Sequence, residues 1–403
     1  MPIKTGISVD NLNKNFDLVV FSHLRWKFVY QRPQHLVTRL ARYHKVLYVE
    51  EPLSVLNGNY GTSNVFEPIE NVIVIQPHIN SIKDTSTLTG IVSSMASRYL
   101  DRPYVIWTYS PAFIDIISSL HSQAIIYDCM DELSAFKGAD LSLKIQERQL
   151  FQIADMVFTG GKSLYEAKKP HHPETHLFPS SVDHHHFVSA LKAETLIPPD
   201  IKRLAKPVIG YYGVIDERLD YDLIYEVSRL LPDYSFVFVG PIAKIDQTEL
   251  PQAKNIHYLG EKHYSQLPGY LKAFDIAMMP FNQGESTRYI SPTKTLEFMA
   301  ARKTIVSTPI PDIQAQYHDV IALGTGAVEF ADQINNLLNE STKNRALRLR
   351  NEQQFIRATS WDKTAEKMTS LIYQMLEKKY DTGSKDEIDE RVAINSRLAY
   401  ERV

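Results

Sequence analysis

The sequence has a single cysteine among 403 residues and no long apolar segment. Because one cysteine cannot form an intramolecular disulfide, Cys129 favours a reducing compartment. A membrane-spanning helix needs about 18 consecutive apolar residues, and the sequence contains no such run. The first 20 residues open with polar side chains and lack the apolar core and cleavage site of a signal peptide. These absences predict a cytoplasmic protein and leave open peripheral contact with the inner face of the cytoplasmic membrane.

An excess of positive charge is also missing. Lys and Arg number 44 against 47 Asp and Glu, which gives a net charge of −3. A surface that follows nucleic-acid phosphates needs a clear cationic excess, so we expect no nucleic-acid partner. No Gly-x-Gly-x-x-Gly follows a predicted strand, which argues against a dinucleotide enzyme. Residues Thr159–Ser163 end like a P-loop, but Met156 stands where its first glycine belongs.

Neither a metal nor a cofactor is expected. Asp220-Tyr221-Asp222 has the form of a metal motif, but Asp220 stands where it would cap a predicted helix. Adjacent histidines diverge on an extended chain, and no cysteine accompanies them. The histidines in question are His171, His172, His176 and His184–His186.

Short apolar segments alternate with amphipathic ones, a pattern typical of parallel sheets covered by helices on both faces. The first series of predicted strands comprises Leu18–Ser22, Lys45–Val49, Val72–Gln76, Tyr104–Thr108, Ala124–Asp128 and Met156–Thr159. The second series comprises Pro207–Tyr212, Ser235–Val239, Ile256–Tyr258, Ile276–Met279, Thr304–Ser307 and Val320–Leu323. Two α/β units are therefore predicted, which suits the chain length.

The domain organisation follows from this restart of the pattern. We expect an N-terminal Rossmann-like domain over residues 1–188 on the acceptor side, a linker over 189–206 and a donor domain over 207–360. Residues 361–403 are expected to form helices that pack back towards the N-terminal domain and end in a frayed tail. In doubly wound sheets the ligand crevice lies beyond the carboxyl ends of the strands. Two such domains facing each other would form an interdomain cleft suited to two substrates.

One predicted helix carries a cation and a carboxylate near its start. Ser291 is predicted to be its N-cap and Pro292 its first residue, and the helix should run to about Arg302. Lys294 and Glu297 are three residues apart and share a face. Free N–H groups at a helix N-terminus bind anions, and a carboxylate one turn away can accept hydrogen bonds from ribose hydroxyls. The spacing fits a nucleoside diphosphate, but an exposed Lys–Glu pair on an ordinary capped helix has the same spacing.

The surrounding sequence resembles GT-B glycosyltransferases, in particular glycosyltransferase family 4 and its relatives in bacterial cell-surface polysaccharide synthesis. The resembling segments are Pro179–Phe187, Gly210–Arg218, Phe236–Pro241, Ile256–Gly260, Phe274–Pro280, Ser291–Thr308 and Ser360–Asp362. The resemblance implies an α/β GT-B fold, with two Rossmann-like domains facing across a cleft. It also implies a hexosyltransferase-type enzyme that moves a sugar from a nucleotide diphosphate sugar, as co-substrate, to a hydroxyl of a glycan or lipid-linked glycan. Such transfer would retain the anomeric configuration and need no metal.

The resemblance implies roles for individual residues. Those implied in binding the donor nucleotide are Gly213, Arg218, Pro292, Thr293, Lys294 and Glu297. Arg218 and Lys294 would neutralise the donor phosphates and so act in catalysis. Glu297 matches the second glutamate of the family's Glu-x7-Glu motif and would bind ribose. Tyr289 replaces the first glutamate, which contacts the donor sugar in the family, and Glu285 in the same loop is the other candidate for that contact.

Polar and aromatic residues follow the predicted strands of the N-terminal half. The candidates for the acceptor side are His23, Arg25, Trp26 and Arg32. Their segment, Phe21–Leu36, resembles a subgroup that includes teichuronic-acid-type enzymes, although a strand-end loop packed on its aromatic residues explains it equally well. Asp128 and Asp131 end another strand, where the resemblance implies that they orient the hydroxyls of the donor sugar and so act in catalysis. Alternatively, Asp131 caps a helix and Asp128 is a solvated loop acid.

Two other functions are compatible with these patterns. A GT-B nucleotide-sugar epimerase has the same architecture but needs acid–base groups against the sugar ring. A non-catalytic nucleotide-sugar- or glycan-binding protein would keep the nucleotide contacts and lose the sugar contacts, which Tyr289 permits. Release of an isomerised nucleotide-sugar without acceptor would identify the epimerase, and nucleotide binding without donor consumption would identify the binding protein.

Overall fold

The computed structural model describes residues 16–55, 60–81 and 84–379. The chain divides into two compact units, Met1–Trp361 and Asp362–Val403. Both sheets belong to the first unit, and residues 361–379 form a helix. The domain boundaries expected from the sequence stay a prediction, as does the packing of the C-terminal helices, and the expected frayed tail lies largely outside the described residues.

The first sheet holds nine strands in the order β3-β5-β2-β1-β6-β7-β8-β9, with β4 antiparallel to β5 and all other pairs parallel. Its strands are β1 (Asp17–Ser22), β2 (Val46–Glu50), β3 (Leu53–Ser54), β4 (Ser63–Ile69), β5 (Val72–Ile79), β6 (Tyr104–Thr108), β7 (Ala124–Cys129), β8 (Met156–Thr159) and β9 (Thr175–Leu177). The helices around it are α1 (Arg32–Leu40), α2 (Thr85–Tyr99), α3 (Ile114–Ser119), α4 (Leu143–Ile153) and α5 (Lys162–Lys168).

The second sheet holds six parallel strands in the order β12-β11-β10-β13-β14-β15. Its strands are β10 (Val208–Tyr212), β11 (Ser235–Val239), β12 (Ile256–Tyr258), β13 (Ile276–Met279), β14 (Thr304–Ser307) and β15 (Ala322–Leu323). The remaining helices of the first unit are α6 (His184–Val188), α7 (Pro199–Lys202), α8 (Tyr221–Leu230), α9 (Leu267–Ala273), α10 (Thr293–Ala300), α11 (Pro311–Tyr317), α12 (Ala327–Leu338) and α13 (Thr342–Ala358). Single 3-10 turns occur at Pro111–Phe113, Leu133–Ala135, Ser189–Leu191, Gln247–Glu249 and Tyr264–Gln266.

In each sheet the strand order changes direction at the strand that comes first in the chain, apart from the edge strands. β1 lies between β2 and β6, with Val20 opposite Tyr48 and Trp107. β10 lies between β11 and β13 in the same way, with Gly210 opposite Val237 and Ala277. Ligands of doubly wound sheets bind at such switch points, beyond the carboxyl ends of the strands.

The strands lie in apolar cores because both faces of each sheet are covered. All six residues of β1 and all five of β10 are buried, which is why they read in the sequence as nearly continuous apolar runs. Helix α8 packs one apolar stripe inward, with Leu223, Ile224 and Val227 buried. Asp220 caps this helix by accepting a hydrogen bond of 2.9 Å from the Leu223 N–H, which confirms capping as the role of the Asp-x-Asp sequence.

All twelve predicted strands are present, and the sequence missed β3, β4 and β9. Strand β4 contains Pro68 and pairs only with β5. Most of its side chains are exposed or half-buried, so its sequence lacks an apolar run. The segment 189–206, expected to be an irregular linker, contains α7 and a 3-10 turn. No helix among residues 16–55, 60–81 and 84–379 has the length and apolarity to cross a membrane.

Candidate active site

A cavity of about 110 Å³ lies between the two sheets. The second half of the chain lines it with the loop after β10 and the first turn of α10, and the first half lines it with the start of α1 and the loop after β7. A larger cavity of about 550 Å³ adjoins it. The residues that line both are Val29, Tyr30, Tyr212, Gly213, Tyr264 and Leu267.

Helix α10 begins one residue later than the sequence indicated. Its N-cap is Pro292, whose φ of −68° and ψ of 114° are extended, and Thr293 is the first helical residue. No side-chain hydrogen bond caps the helix, so the prediction of Ser291 as N-cap is wrong, and the helix ends at Ala300 instead of Arg302. Because the first N–H groups of a helix have no intrahelical partner, those of Thr293 and Lys294 are available at the cavity wall.

Lys294 brings an unpaired cation to this wall. Within the described part of the chain its ammonium has no hydrogen-bond or ion-pair partner, and its Nζ lies 5.6 Å from the centroid of the Tyr211 ring. Burial lowers the pKa of Lys294, and the nearby Arg218 lowers it further. A partly buried ammonium without a counter-ion is costly unless an anion joins it. The site therefore has the charge and the room for an anionic ligand.

Gly213 allows Lys294 to reach this position. Its φ is +135°, a conformation that L side chains rarely adopt. A Cβ at this residue would stand 2.1 Å from the Cε of Lys294 and 2.7 Å from its Nζ. The glycine is thus required twice, by the backbone and by the close approach of the lysine. The sequence identified this residue through the family pattern, and the structure supplies the physical reason.

Glu297 lies one turn further along α10. Its side chain is 6% exposed and accepts a hydrogen bond from the Tyr212 hydroxyl. Burial raises the pKa of Glu297 to about 7, opposed by the Tyr212 hydrogen bond and by Lys294. Lys294 and Glu297 both line the smaller cavity, so one face of α10 offers a cation and then a hydrogen-bond acceptor.

Arg218 also lines the cavity, but its charge is already paired. Its Nη2 lies 2.6 Å from Asp216 Oδ2 and its Nε lies 2.9 Å from Asp216 Oδ1. Asp131 lines the same cavity from the N-terminal half. Burial raises the pKa of Asp131, and Arg218 acts in the opposite direction. The Arg218–Asp216 pair leaves Lys294 as the site cation without a direct counter-ion among the described residues.

Asp128 does not face the cavity. It is completely buried and accepts hydrogen bonds from Arg32, whose Nη2 lies 2.8 Å from Asp128 Oδ1. Arg32 also donates to the Phe178 carbonyl oxygen at 2.8 Å. The alternative that Asp128 is a solvated loop acid is therefore wrong, and its expected contact with the donor sugar stays a prediction. Arg32 lines the cavity, but the ion pair occupies its guanidinium and leaves it unsuited to holding an acceptor phosphate.

Glu285 and Tyr289 lie away from Lys294. They line a separate cavity of about 240 Å³ together with Glu132 and Lys168. The loop after β13 turns Tyr289 towards the apolar core of the N-terminal half. The structure therefore places these two residues outside the lining of the cavity that holds Lys294, and their expected contact with the donor sugar stays a prediction.

The three remaining acceptor-side candidates have different surroundings in the structure. Trp26 lines the larger cavity and packs edge-on against Tyr48, with ring centroids 5.1 Å apart. Arg25 is tied to Glu50 by an ion pair of 3.2 Å. Burial lowers the pKa of His23 to about 4, and the nearby Lys244 lowers it further. Trp26 thus lines the larger cavity, whereas His23 and Arg25 line neither of the two cavities described above.

Aromatic rings that the sequence did not single out join the two halves at the cavities. Tyr264 stacks on Tyr30, with ring centroids 4.6 Å apart, and on His186, with centroids 4.1 Å apart. Tyr212 and Asp216 were also missed. Their position directly beside Gly213, at the carboxyl end of β10, was the available signal. Among residues 16–55, 60–81 and 84–379 no group of three or more His, Cys, Asp or Glu side chains could hold a metal ion.

Comparisons with known proteins agree with this architecture. Residues 206–340 match the family described as glycosyl transferases group 1. Over 259 residues the chain is 27% identical to the putative teichuronic acid biosynthesis glycosyltransferase TuaH of Bacillus subtilis (strain 168). That match covers 59% of this chain and 64% of the relative, so it spans less than two thirds of the relative's length.

Solved structures of similar fold cover nearly the whole chain. Sucrose-phosphate synthase from Thermosynechococcus elongatus matches with a TM-score of 0.69 at 15% identity, over 90% of this chain and 100% of that one. Anabaena Alr3699/HepE in complex with UDP-glucose matches with a TM-score of 0.66 at 12% identity, over 89% and 100%. At these identities the likeness shows the fold. Taken together, these findings show a GT-B fold of two Rossmann-like sheets, with a match to the group 1 glycosyl transferases over residues 206–340.

Proposed function

We propose that this protein transfers a sugar from a nucleoside diphosphate sugar to a hydroxyl of a glycan or lipid-linked glycan, in the synthesis of a cell-surface polysaccharide. The observation that carries the proposal is the unpaired ammonium of Lys294, which lies one helical turn before Glu297 on the cavity wall. The diphosphate supplies the missing counter-ion, and the ribose hydroxyls donate to the Glu297 carboxylate. A diphosphate and its ribose are linked at a spacing that matches one helical turn.

The chemistry would depend on stabilising the leaving group. As the bond between the anomeric carbon and the diphosphate oxygen breaks, negative charge grows on the diphosphate. Lys294 and the free N–H groups of Thr293 and Lys294 are positioned to stabilise that charge, as preorganised donors do in many enzymes. The same role is proposed for Arg218 through the family, although its guanidinium is paired with Asp216. No metal is required for this, and Asp131 reaches the cavity from the other half, where it can orient sugar hydroxyls. Retention of the anomeric configuration is part of the proposal through the family.

The donor and acceptor classes are suggested by two relatives. The structure of HepE holds UDP-glucose, so UDP is the first nucleotide to test. TuaH is named for teichuronic acid biosynthesis, which supports a surface glycan as the product. The acceptor is proposed to enter through the larger cavity, where Trp26 offers an aromatic face for a sugar ring. A lipid-linked acceptor would bring the protein to the inner face of the cytoplasmic membrane.

Replacing Lys294 tests the central claim. Calorimetry first compares UDP, GDP, ADP and dTDP on the wild type. Lys294→Ala should then weaken binding of the preferred diphosphate about 10- to 100-fold, because a charge-assisted hydrogen bond contributes about 1.5–3 kcal/mol. Lys254→Ala is the matched control, since Lys254 is exposed in the same half. Equal affinity in wild type and Lys294→Ala would refute the proposed nucleotide site.

Product analysis separates transfer from the other two functions. Wild-type protein is incubated with the sugar nucleotide of the preferred diphosphate, with and without a panel of glycan and lipid-linked acceptors. Glycosylated acceptor and released nucleoside diphosphate in equal amounts support transfer. An isomerised sugar nucleotide formed without acceptor indicates an epimerase, and tight binding with no donor consumption across the panel indicates a binding protein.

A further inference from the structure

The N-terminus of α5 in the first half of the chain is capped by a side chain of the second half. The Asp312 carboxylate accepts hydrogen bonds of 3.0 Å from the backbone N–H of Lys162 and of 3.0 Å from that of Ser163. The Ser163 hydroxyl donates to the same carboxylate. Asp312 belongs to α11 and is 2% exposed. A buried carboxylate with three donors is a strong and strictly oriented contact.

Two glycines in front of α5 make this contact sterically possible. A Cβ on Gly161 would lie 2.6 Å from Asp312 Oδ2 and 2.7 Å from the Cβ of Ser291. A Cβ on Gly160 would lie 2.8 Å from the carbonyl oxygen of Met130. Any side chain at Gly161 would push the second half away, and any at Gly160 would push away the loop of the first half. The Gly-Gly-Lys-Ser sequence that resembles the end of a P-loop is thus a docking surface for the protein's own carboxylate.

Two residues that pack on these glycines are direct neighbours, in the sequence, of residues of the proposed phosphate site. Ser291, which packs on Gly161, comes immediately before Pro292, the N-cap of α10. Met130, which packs on Gly160, comes immediately before Asp131. Ser291, Met130 and Asp131 all line the smaller cavity. The α5 N-terminus therefore supports the cavity from behind, on both sides of the division between the halves.

We propose that Asp312 is a positioning residue that holds the two halves of the chain together around the cavity and so aligns the first turn of α10 with the Asp131 loop. The proposal rests on the proposed function, because the aligned groups are those assigned to the donor. Asp312 touches no substrate. It acts by keeping the closed arrangement populated, and a ligand that needs this arrangement binds with an affinity proportional to that population.

The test compares two aspartates that cap helices in different ways. Asp312→Ala removes the cap between the halves, and Asp220→Ala removes the cap of α8, which lies wholly within the second half. Each deletion removes one helix cap and should lower the melting temperature by a similar amount. Small-angle scattering measures the radius of gyration without ligand, and calorimetry measures the affinity for UDP, GDP, ADP and dTDP.

Asp312→Ala should have a larger radius of gyration than wild type and bind the preferred diphosphate about tenfold more weakly, whereas Asp220→Ala should match wild type in both. Asp312→Asn, which keeps an acceptor oxygen, should fall between. If Asp312→Ala does not fold, Ser163→Ala removes one of the three hydrogen bonds and should shift both quantities in the same direction by less. Scattering and affinity unchanged in Asp312→Ala, or in Ser163→Ala when that variant replaces it, overturn the proposal. If the wild type binds no diphosphate, the proposed function fails, and scattering alone still decides the role of Asp312.

Discussion

Substituting Gly213 by alanine should damage the nucleotide site more than it damages the fold. The backbone of Gly213 has a φ of +135°, where an alanine costs about 1–3 kcal/mol. The added Cβ would also stand 2.1 Å from Lys294 Cε, well inside van der Waals contact. Lys294 is the far end of a flexible side chain, so it moves aside and the backbone largely keeps its course. The ammonium then leaves the position in which it meets the ligand.

The expected result is a stability loss of about 2 kcal/mol, seen as a fall of roughly 4–8 °C in melting temperature for a domain of this size. Diphosphate affinity measured by calorimetry should fall at least about tenfold, as in Lys294→Ala. Gly260→Ala is the matched control. Its φ of +72° is also positive, but nothing lies within 4 Å of the added Cβ, so it should cost about 1 kcal/mol and leave affinity unchanged. Wild-type affinity in Gly213→Ala would refute the claim that the glycine makes room for the lysine.

Two further predictions concern buried charge. Burial raises the pKa of Glu297 from 4.5 to about 7. Ionising this carboxyl therefore costs more in the folded state than in the unfolded state, and the free energy of unfolding falls as pH rises from about 4.5 to 7. Glu297→Gln should remove up to about 3 kcal/mol of that decline, measured by denaturation at several pH values; identical pH profiles would contradict it. Arg32→Ala should destabilise by about 3–5 kcal/mol because it leaves Asp128 charged and buried, and the double variant with Asp128→Ala should recover part of that loss in the same assay. A double variant less stable than Arg32→Ala would show that the pair is not coupled in this way.

Much of the fold follows from local patterns in the sequence. Buried parallel strands such as β1 and β10 are apolar on both faces, so each appears as an apolar run with sharp ends. Strand β4 has no such apolar run, because it pairs with β5 and its side chains are exposed or half-buried. Whether a segment pairs at a sheet edge depends on residues far along the chain. Local periodicity does not contain that information.

The nucleotide side of the site was more predictable than the sugar side. Lys294 and Glu297 share one helix, so their spacing alone puts them on one wall. The partner of Asp128 was hidden because Arg32 lies 96 residues away in the sequence, and local patterns do not show which distant residues meet. Asp312 was missed for the same reason, since a helix cap supplied by a distant helix leaves no local signature.

Burial of the Glu297 carboxyl, against the opposing hydrogen bond from Tyr212, makes the ribose end of the site a proton site as well. Its pKa is raised to about 7, so the carboxyl takes up a proton closer to neutral pH than an exposed glutamate does. Ribose hydroxyls that donate to this carboxyl favour its ionised form, so association of the nucleotide would expel a fraction of a proton into the medium. The heat of binding would then include the ionisation heat of the buffer, and the pH of the medium would act directly on how much nucleotide the protein holds.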